Sequence, residues 1–440
     1  MRVLIVTNTF PPTSGSHVQR MIKMANSLAA SGFDVNVLTY EINKNHPQYD
    51  ESFVDMVDKR INIIRAPIGF LHKKAYSTFK NESDAHYNKE TKPQNLIKKQ
   101  IYGTITKLKR DFLFPDTMVD WYYSVIGFEK KTKVVKKLSP DIIISCSQPN
   151  SVHLIGNRLS TMYNIPHFMD YADPWVYLGN YKKIEQSSRF KRGKRMESKI
   201  VNHAVGFSFS APGCRDLYIE KYGINASDTS VAMSGFELRL LERAKEWDYN
   251  PMSRELSLTY GGALHEYVRD PKPFFAAAKQ FEKEIDVNIR TDNIGQAENW
   301  LLDSGNAKCI HILPYLSFDA YFEEMLSKDI ILFFGNKNDI QLPGKIFNCV
   351  ATGKYIFYIK SNNVENDTVE QILSAYGRSF IARNDLEDIR RVIRTILDSK
   401  DAIRRKVDLS SESIIQFSDK EQYTNLAKHL KKLLEEKQND

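Results

Sequence analysis

Apolar residues in this chain come in short unbroken runs, and most runs are followed by a helical repeat. Residues 2–7 are the first run, ending on Val3-Leu4-Ile5-Val6 with no polar alternation, which predicts a strand buried on both faces. A loop with Pro11-Pro12 and Gly15-Ser16 follows. Then Val18, Met21, Ile22, Ala25, Leu28 and Ala29 recur at three- and four-residue steps until Gly32 stops the helix. Val35 to Thr39 is the next strand, so the first 40 residues predict a βαβ crossover and a parallel sheet. The rhythm returns with strand 142–146, helix 151–162, strand 166–170, strand 204–208, a helix from Ala211 and a short strand 229–233. Past a polar break at 239–253 it begins again: strand 256–260, helix 272–284, strand 286–290, strand 309–312, helix 318–327, strand 329–334, helix 343–352 and strand 355–359. Leu426, Leu430, Leu433 and Leu434 give the tail an amphipathic helix.

The pattern predicts an α/β protein of two doubly wound, Rossmann-like domains. Residues 1–238 make the first, with a basic helical insertion at about 70–135 and completion by the C-terminal helix 419–440; residues 254–418 make the second. In such folds a cleft lies between the domains, and ligands bind outside the carboxyl ends of the strands. Length and composition agree: 440 residues, 42% hydrophobic and 26% charged, are ordinary globular usage and enough for two cores. No window approaches the roughly 20 apolar residues of a membrane span. The N-terminal run is short for a signal peptide, so a cytoplasmic location is expected. Cys146, Cys214, Cys309 and Cys349 are scattered without CxxC or metal spacing, so neither disulfides nor a metal site is expected.

Charge alters this picture in one place. Residues 71–140 carry fifteen basic and seven acidic residues, an excess equal to the +8 of the whole chain. Lys73-Lys74, Lys98-Lys99 and Lys107-Leu108-Lys109-Arg110 are interleaved with Tyr76, Phe79, Tyr102 and Phe112. Clustered cations beside aromatic rings suit a solvated face or peripheral contact with an anionic membrane. No nucleic-acid-binding motif accompanies them, and a nucleic-acid partner is not expected.

Four clusters carry candidate chemistry. Gly15 and Ser16, between the first strand and its helix, let backbone N–H groups approach a phosphate. Asp170 and Asp173, at the carboxyl end of an apolar strand and followed by Pro174-Trp175, suit a site that orients a hydroxyl or takes its proton. Gly262 and His265 follow the first strand of the second domain, with Arg269 behind them to pair with a diphosphate. Pro343, Gly344 and Lys345 open a helix as an anion site.

At these clusters the chain resembles the GT-B glycosyltransferases, and within them glycosyltransferase family 4 and related cell-envelope polysaccharide enzymes. The resemblance runs through Pro11-Pro12 with Gly15-Ser16 and Arg20, Phe114-Pro115-Asp116, Pro140-Asp141, Asp170 to Trp175, Ser234-Gly235-Phe236-Glu237, Gly261-Gly262, Pro343 to Phe347, and Gly353-Lys354. It implies a nucleotide-sugar donor held mainly by the second domain and a glycan or lipid-linked acceptor held mainly by the first. It also implies no cofactor beyond that substrate. On this resemblance Gly15 and Ser16 face the donor diphosphate, while Arg269 and Lys345 clamp it and stabilise the leaving charge. Where the family usually has two glutamates eight positions apart, this chain has Ile340 and Asn348, with Asp339 beside the first. Asn348 keeps a hydrogen bond for a ribose diol. Two other classes share the plan: a nucleotide-sugar epimerase, and an inactive subunit that only binds or scaffolds.

Overall fold

The computed structural model describes residues 1–42, 44, 49–69, 113–178, 181–251, 253–264, 269–337, 340–361, 367–405 and 407–439. The chain divides into two compact units. One comprises Met1–Ser210, Arg215–Ala232 and Tyr423–Asp440; the other comprises Ala211–Cys214 and Met233–Gln422.

The first unit holds a seven-stranded, all-parallel sheet: β1 (Arg2–Val6), β2 (Asp34–Tyr40), β3 (Asn62–Ala66), β4 (Ile142–Ser147), β5 (His167–Tyr171), β6 (Gly206–Phe209) and β7 (Thr229–Val231). Their order is β3-β2-β1-β4-β5-β6-β7. Because side chains alternate across a strand, the unbroken apolar run of β1 feeds two cores. Val3 and Ile5 pack with α1 (Ser16–Ala30) through Met21, Met24 and Leu28. Leu4 and Val6 pack on the other face with Trp121, Val125, Val152 and Leu159, from helices Val119–Thr132 and Ser151–Tyr163.

The second unit repeats the build with β8 (Leu256–Gly261), β9 (Ile285–Arg290), β10 (Ile310–Leu313), β11 (Ile330–Phe334), β12 (Tyr355–Lys360) and β13 (Ser379–Arg383), ordered β10-β9-β8-β11-β12-β13 and all parallel. Leu258, Leu332 and Phe334 face one core; Ile331, Phe333 and Tyr358 face the other. There the helix α2 (Lys345–Ala351) contributes Ile346, Phe347 and Val350.

Several elements differ from the sequence pattern. The helix expected over 272–284 stops at Ala278 and tightens into a turn over Lys279–Phe281, which brings the chain round into β9 at Ile285. The helix expected from 343 begins at Lys345, with Pro343 and Gly344 in the turn before it. The strands β3 and β13 went unread. Both are edge strands that bury only part of each face, so neither shows a continuous apolar run. Within the expected basic insertion, the helix Val119–Thr132 is present, and residues 70–112 lie outside the described residues.

The last helix, α3 (Asp419–Asn439), delivers Tyr423, Leu426, Leu430 and Leu433 to the same core as β1 and α1. Lys431 pins it there by donating to the Ser31 carbonyl at 2.9 Å. Leu430 is fully buried. Leu430→Ala removes its methyl groups from a packed core and should cost about 2–5 kcal/mol of stability. Urea unfolding followed by far-UV circular dichroism measures it.

Candidate functional site

Gly15 ends the β1 loop as the N-terminal flank of α1, with φ at 129°. That is backbone that residues with a Cβ avoid. A Cβ there would meet nothing within 4 Å, so the conformation alone, not crowding, requires glycine. Ser16 is the first residue of α1. One turn on, His17 and Arg20 share a face of that helix. The Arg20 guanidinium grips the Asp170 carboxylate with two hydrogen bonds, at 2.5 and 2.8 Å, and Ser208 donates to the same carboxylate at 2.5 Å. Arg20 is 5% exposed and Asp170 fully buried.

This geometry corrects one expectation. Asp170 is fully buried with both oxygens already accepting from Arg20 and Ser208, so it is not presented to an acceptor hydroxyl and serves as an anchor that ties α1 to β5 and β6. Asp173, half-buried in the turn after β5, keeps the expected place at the carboxyl end of the sheet. His17 drew no notice in the sequence. Burial, then the Arg20 charge, pushes its imidazole down to about 4, so it is neutral at physiological pH and a weak proton acceptor. Among the described residues its Nε2 has no hydrogen-bond partner.

In the second unit, the loops after β8 and β11 build a different surface. Gly262 stands where a Cβ would lie 2.7 Å from the Tyr260 hydroxyl and 3.2 Å from the Lys345 ammonium. A side chain here would crowd the Lys345 ammonium, which folds back over this turn and donates to the Gly261 carbonyl at 3.2 Å. Arg269 is held in the same loop system by Asn336 at 2.9 Å and by the Ala263 carbonyl at 3.4 Å. Among the described residues, neither cation has a carboxylate within ion-pair distance. Partial burial, reinforced by the neighbouring Arg269, draws the Lys345 ammonium below the ordinary lysine value. Lys345 and Arg269 thus place positive charge on one loop system with no described carboxylate to cancel it.

Lys345 and Asn348 line a cavity of about 360 Å³ together with Tyr260, Tyr315, Phe318 and Tyr321. Tyr315 and Phe318 are exposed at 45% and 43%, flat apolar rings on the cavity rim. Arg290 also lines it, but Glu324 neutralises it at 2.7 Å. Burial pushes the Tyr260 phenol up to about 12, so it acts as a neutral hydrogen-bonding group. Gly344 is exposed in the turn before α2, and Pro343 is half-buried beside it. His265 and Asp339 lie outside the described residues. The aromatic wall was not singled out from sequence. Its one local trace is Tyr315-Leu316 exposed ahead of the helix that Ser317 caps and Phe318 opens, where polar residues are the rule.

Neither a family model nor a curated protein sequence matches this chain. Solved structures do. Sucrose-phosphate synthase from Thermosynechococcus elongatus superimposes with a TM-score of 0.64 at 13% identity, covering 98% of each chain. HepE of Anabaena, solved with UDP and glucose, gives 0.58 at 12% identity over 98% of this chain and 100% of its own. The UDP-GlcNAc 2-epimerase of Neisseria meningitidis, bound to UDP-GlcNAc, gives 0.55 at 11% identity over 98% of this chain and 100% of its own. Two parallel sheets of seven and six strands, each with a strand-order reversal, are thus the GT-B fold of glycosyltransferases. UDP-sugar epimerases share it.

The buried pair in the first unit makes a sharp expectation. Asp170→Asn leaves the Arg20 charge buried and unmatched and should cost about 3–5 kcal/mol. Replacing both residues by apolar side chains should recover most of that loss. Chemical denaturation of the single and double variants checks the pair; a mild Asp170→Asn would show that the guanidinium finds another partner.

Proposed function

We propose that this protein is a glycosyltransferase that moves a sugar from a nucleoside-diphosphate donor to a glycan or lipid-linked acceptor. The observation that carries the reading is the pair Lys345 and Arg269, uncompensated by any described carboxylate at the glycine turn after β8 and beside an aromatic-rimmed cavity. A diphosphate satisfies both cations, the exposed rings of Tyr315 and Phe318 offer a stacking surface to a nucleobase, and Asn348 offers its amide to the ribose diol. In the transfer, the bond between the anomeric carbon and the diphosphate oxygen breaks, and the acceptor oxygen forms the new bond and gives up its proton. Negative charge grows on the departing diphosphate, and Lys345 and Arg269 stabilise it most when it is fully developed. Asp173 orients the acceptor or takes its proton. The chemistry needs no resident cofactor, because side chains supply the positive charge.

The solved neighbours that hold UDP and UDP-glucose support a nucleotide-sugar as the ligand. The basic stretch 71–140 supports a role at the anionic cytoplasmic face of a membrane, where a lipid-linked acceptor of cell-envelope polysaccharide synthesis would be found. No helix among the described residues is long and apolar enough to cross a membrane. One second reading has a specific observation behind it: epimerases that act on UDP-GlcNAc share the fold. The two differ in whether an acceptor is required.

Calorimetry with UDP, GDP and ADP tests the nucleotide site directly. At least one should bind, and Lys345→Ala should weaken it by about 2 kcal/mol, roughly thirtyfold, as expected for losing a hydrogen bond to a charged group. Heat from none of the three diphosphates would end the proposal, and conversion of UDP-GlcNAc without any acceptor would move it to the epimerase reading. Membrane contact has its own check. Replacing Lys98, Lys99, Lys107 and Lys109 by glutamine should reduce co-sedimentation with phosphatidylserine vesicles, and unchanged pelleting would remove the membrane from the picture.

A further inference from the structure

The second unit has another cavity, of about 320 Å³, at the opposite edge of the same sheet. The site after β8 and β11 uses the carboxyl ends of strands. This cavity lies where the chain enters them: Lys354 immediately precedes β12, and Asp329, at the entry to β11, holds Arg404 in its wall. Gly353-Lys354, noticed in the sequence, has no part in the proposed transfer.

Five cations and two acids line the cavity. Two of the cations are satisfied: Arg404 by Asp329 at 2.8 Å, and Lys245 by Glu242 at 3.0 Å. The Asp329 carboxylate is also taken up by the Tyr249 hydroxyl and by Ser257, so it has little left to offer the cavity. The remaining three are Lys354, Arg378 and Arg405. Lys354 sets its ammonium 3.0 Å from the centre of the Tyr249 ring, half-buried. Arg378 spends one N–H on the Gly353 carbonyl at 2.9 Å and lays its plane over Tyr355. Among the described residues none of the three has a carboxylate within ion-pair distance. Of the two lining acids, Asp408 accepts from the Ser410 backbone and hydroxyl. Burial, against the pull of Asp329 and with the push of Arg378, brings the Lys354 ammonium down to about 7, the state of a cation lacking its counter-ion.

We infer that this cavity binds a small phosphate monoester, with Lys354, Arg378 and Arg405 on the phosphate and the Tyr249 and Trp247 rings against its carbon skeleton. The volume is that of a small pocket, near the lower end of the ~300–1,000 Å³ that ligand sites occupy, and suits a sugar phosphate. The anion supplies the charge Lys354 lacks, and the aromatic walls prefer an organic body to free phosphate. The site is tied to the other cavity through α2. Lys345, Asn348 and Cys349 of this helix line the first cavity, and Thr352, Gly353 and Lys354, directly after its last residue, line the second. Seven helical residues span only about 10 Å, so the two cavities lie at opposite ends of one short helix.

The inference stands apart from what the first cavity holds, and its test keeps the two separate. Isothermal calorimetry on the full chain uses glucose 1-phosphate as the probe, with inorganic phosphate beside it. Glucose 1-phosphate should bind saturably and more tightly than phosphate, Lys345→Ala should retain that binding, and Lys354→Met should weaken it by about tenfold or more. Methionine keeps the stem over Tyr249 and removes a half-buried charge, so the thermal melt of the variant should be no lower than wild type. If that variant fails to fold, exposed Arg405→Gln carries the test with an expected loss of a few-fold. Wild-type affinity in Lys354→Met, or in Arg405→Gln where it stands in, overturns the site. Loss of binding in Lys345→Ala alone assigns the probe to the first cavity instead. Equal affinity for phosphate and glucose 1-phosphate overturns the monoester.

Discussion

A parallel strand is reached from its neighbour only by a crossover that leaves the sheet and returns. Where successive crossovers depart in opposite directions, the loops at the strand's carboxyl end part and leave a crevice. In this chain that happens at β1, flanked by β2 and β4, and at β8, flanked by β9 and β11. Gly15 lies in the loop after β1, and Gly261-Gly262 closes β8. The cations and rings of the proposed nucleotide site are built around the second of these openings, with Lys345 arriving from the loop after β11, the strand beside β8.

Within that frame, the way charge is distributed separates support from function. Arg20, Arg290 and Arg404 are each matched to a carboxylate: Asp170, Glu324 and Asp329. The matched arginines are mostly buried, and their carboxylates take further hydrogen bonds from serine, threonine, asparagine or tyrosine, which is the condition under which a buried pair is tolerated at all. Lys345, Arg269, Lys354 and Arg378 are held instead by carbonyls, an amide and aromatic rings. Neutral partners fix a cation's position without cancelling its field. Cations of this kind occur at both edges of the second sheet, joined by a helix of two turns, and both proposed sites are built on them.

The repeating strand and helix pattern, the central strands and the C-terminal helix were legible in the amino-acid order. A strand buried on both faces must be apolar throughout, and an amphipathic helix must repeat every three to four residues. These are local requirements that leave local marks. The glycine at 15, demanded by φ, was legible for the same reason. The edge strands β3 and β13 left no such mark, because an edge strand shares its burial unevenly. The aromatic rim of the cavity beside Lys345 left only a faint mark, since Tyr315 and Phe318 stand in sequence much like other exposed side chains.

What tertiary structure alone decided is who meets whom. Asp170 reads in sequence as a carboxylate at the end of a strand, fit for chemistry; the fold brings Arg20, 150 residues away, onto both its oxygens and makes it an anchor. Lys354 reads as an ordinary lysine after a glycine; the fold lays it on Tyr249 in a cavity where no described carboxylate pairs with it. Sequence determines elements because their energetics are set by near neighbours along the chain. Whether a charge is spent or available depends on strand order, and strand order joins residues that the sequence holds far apart.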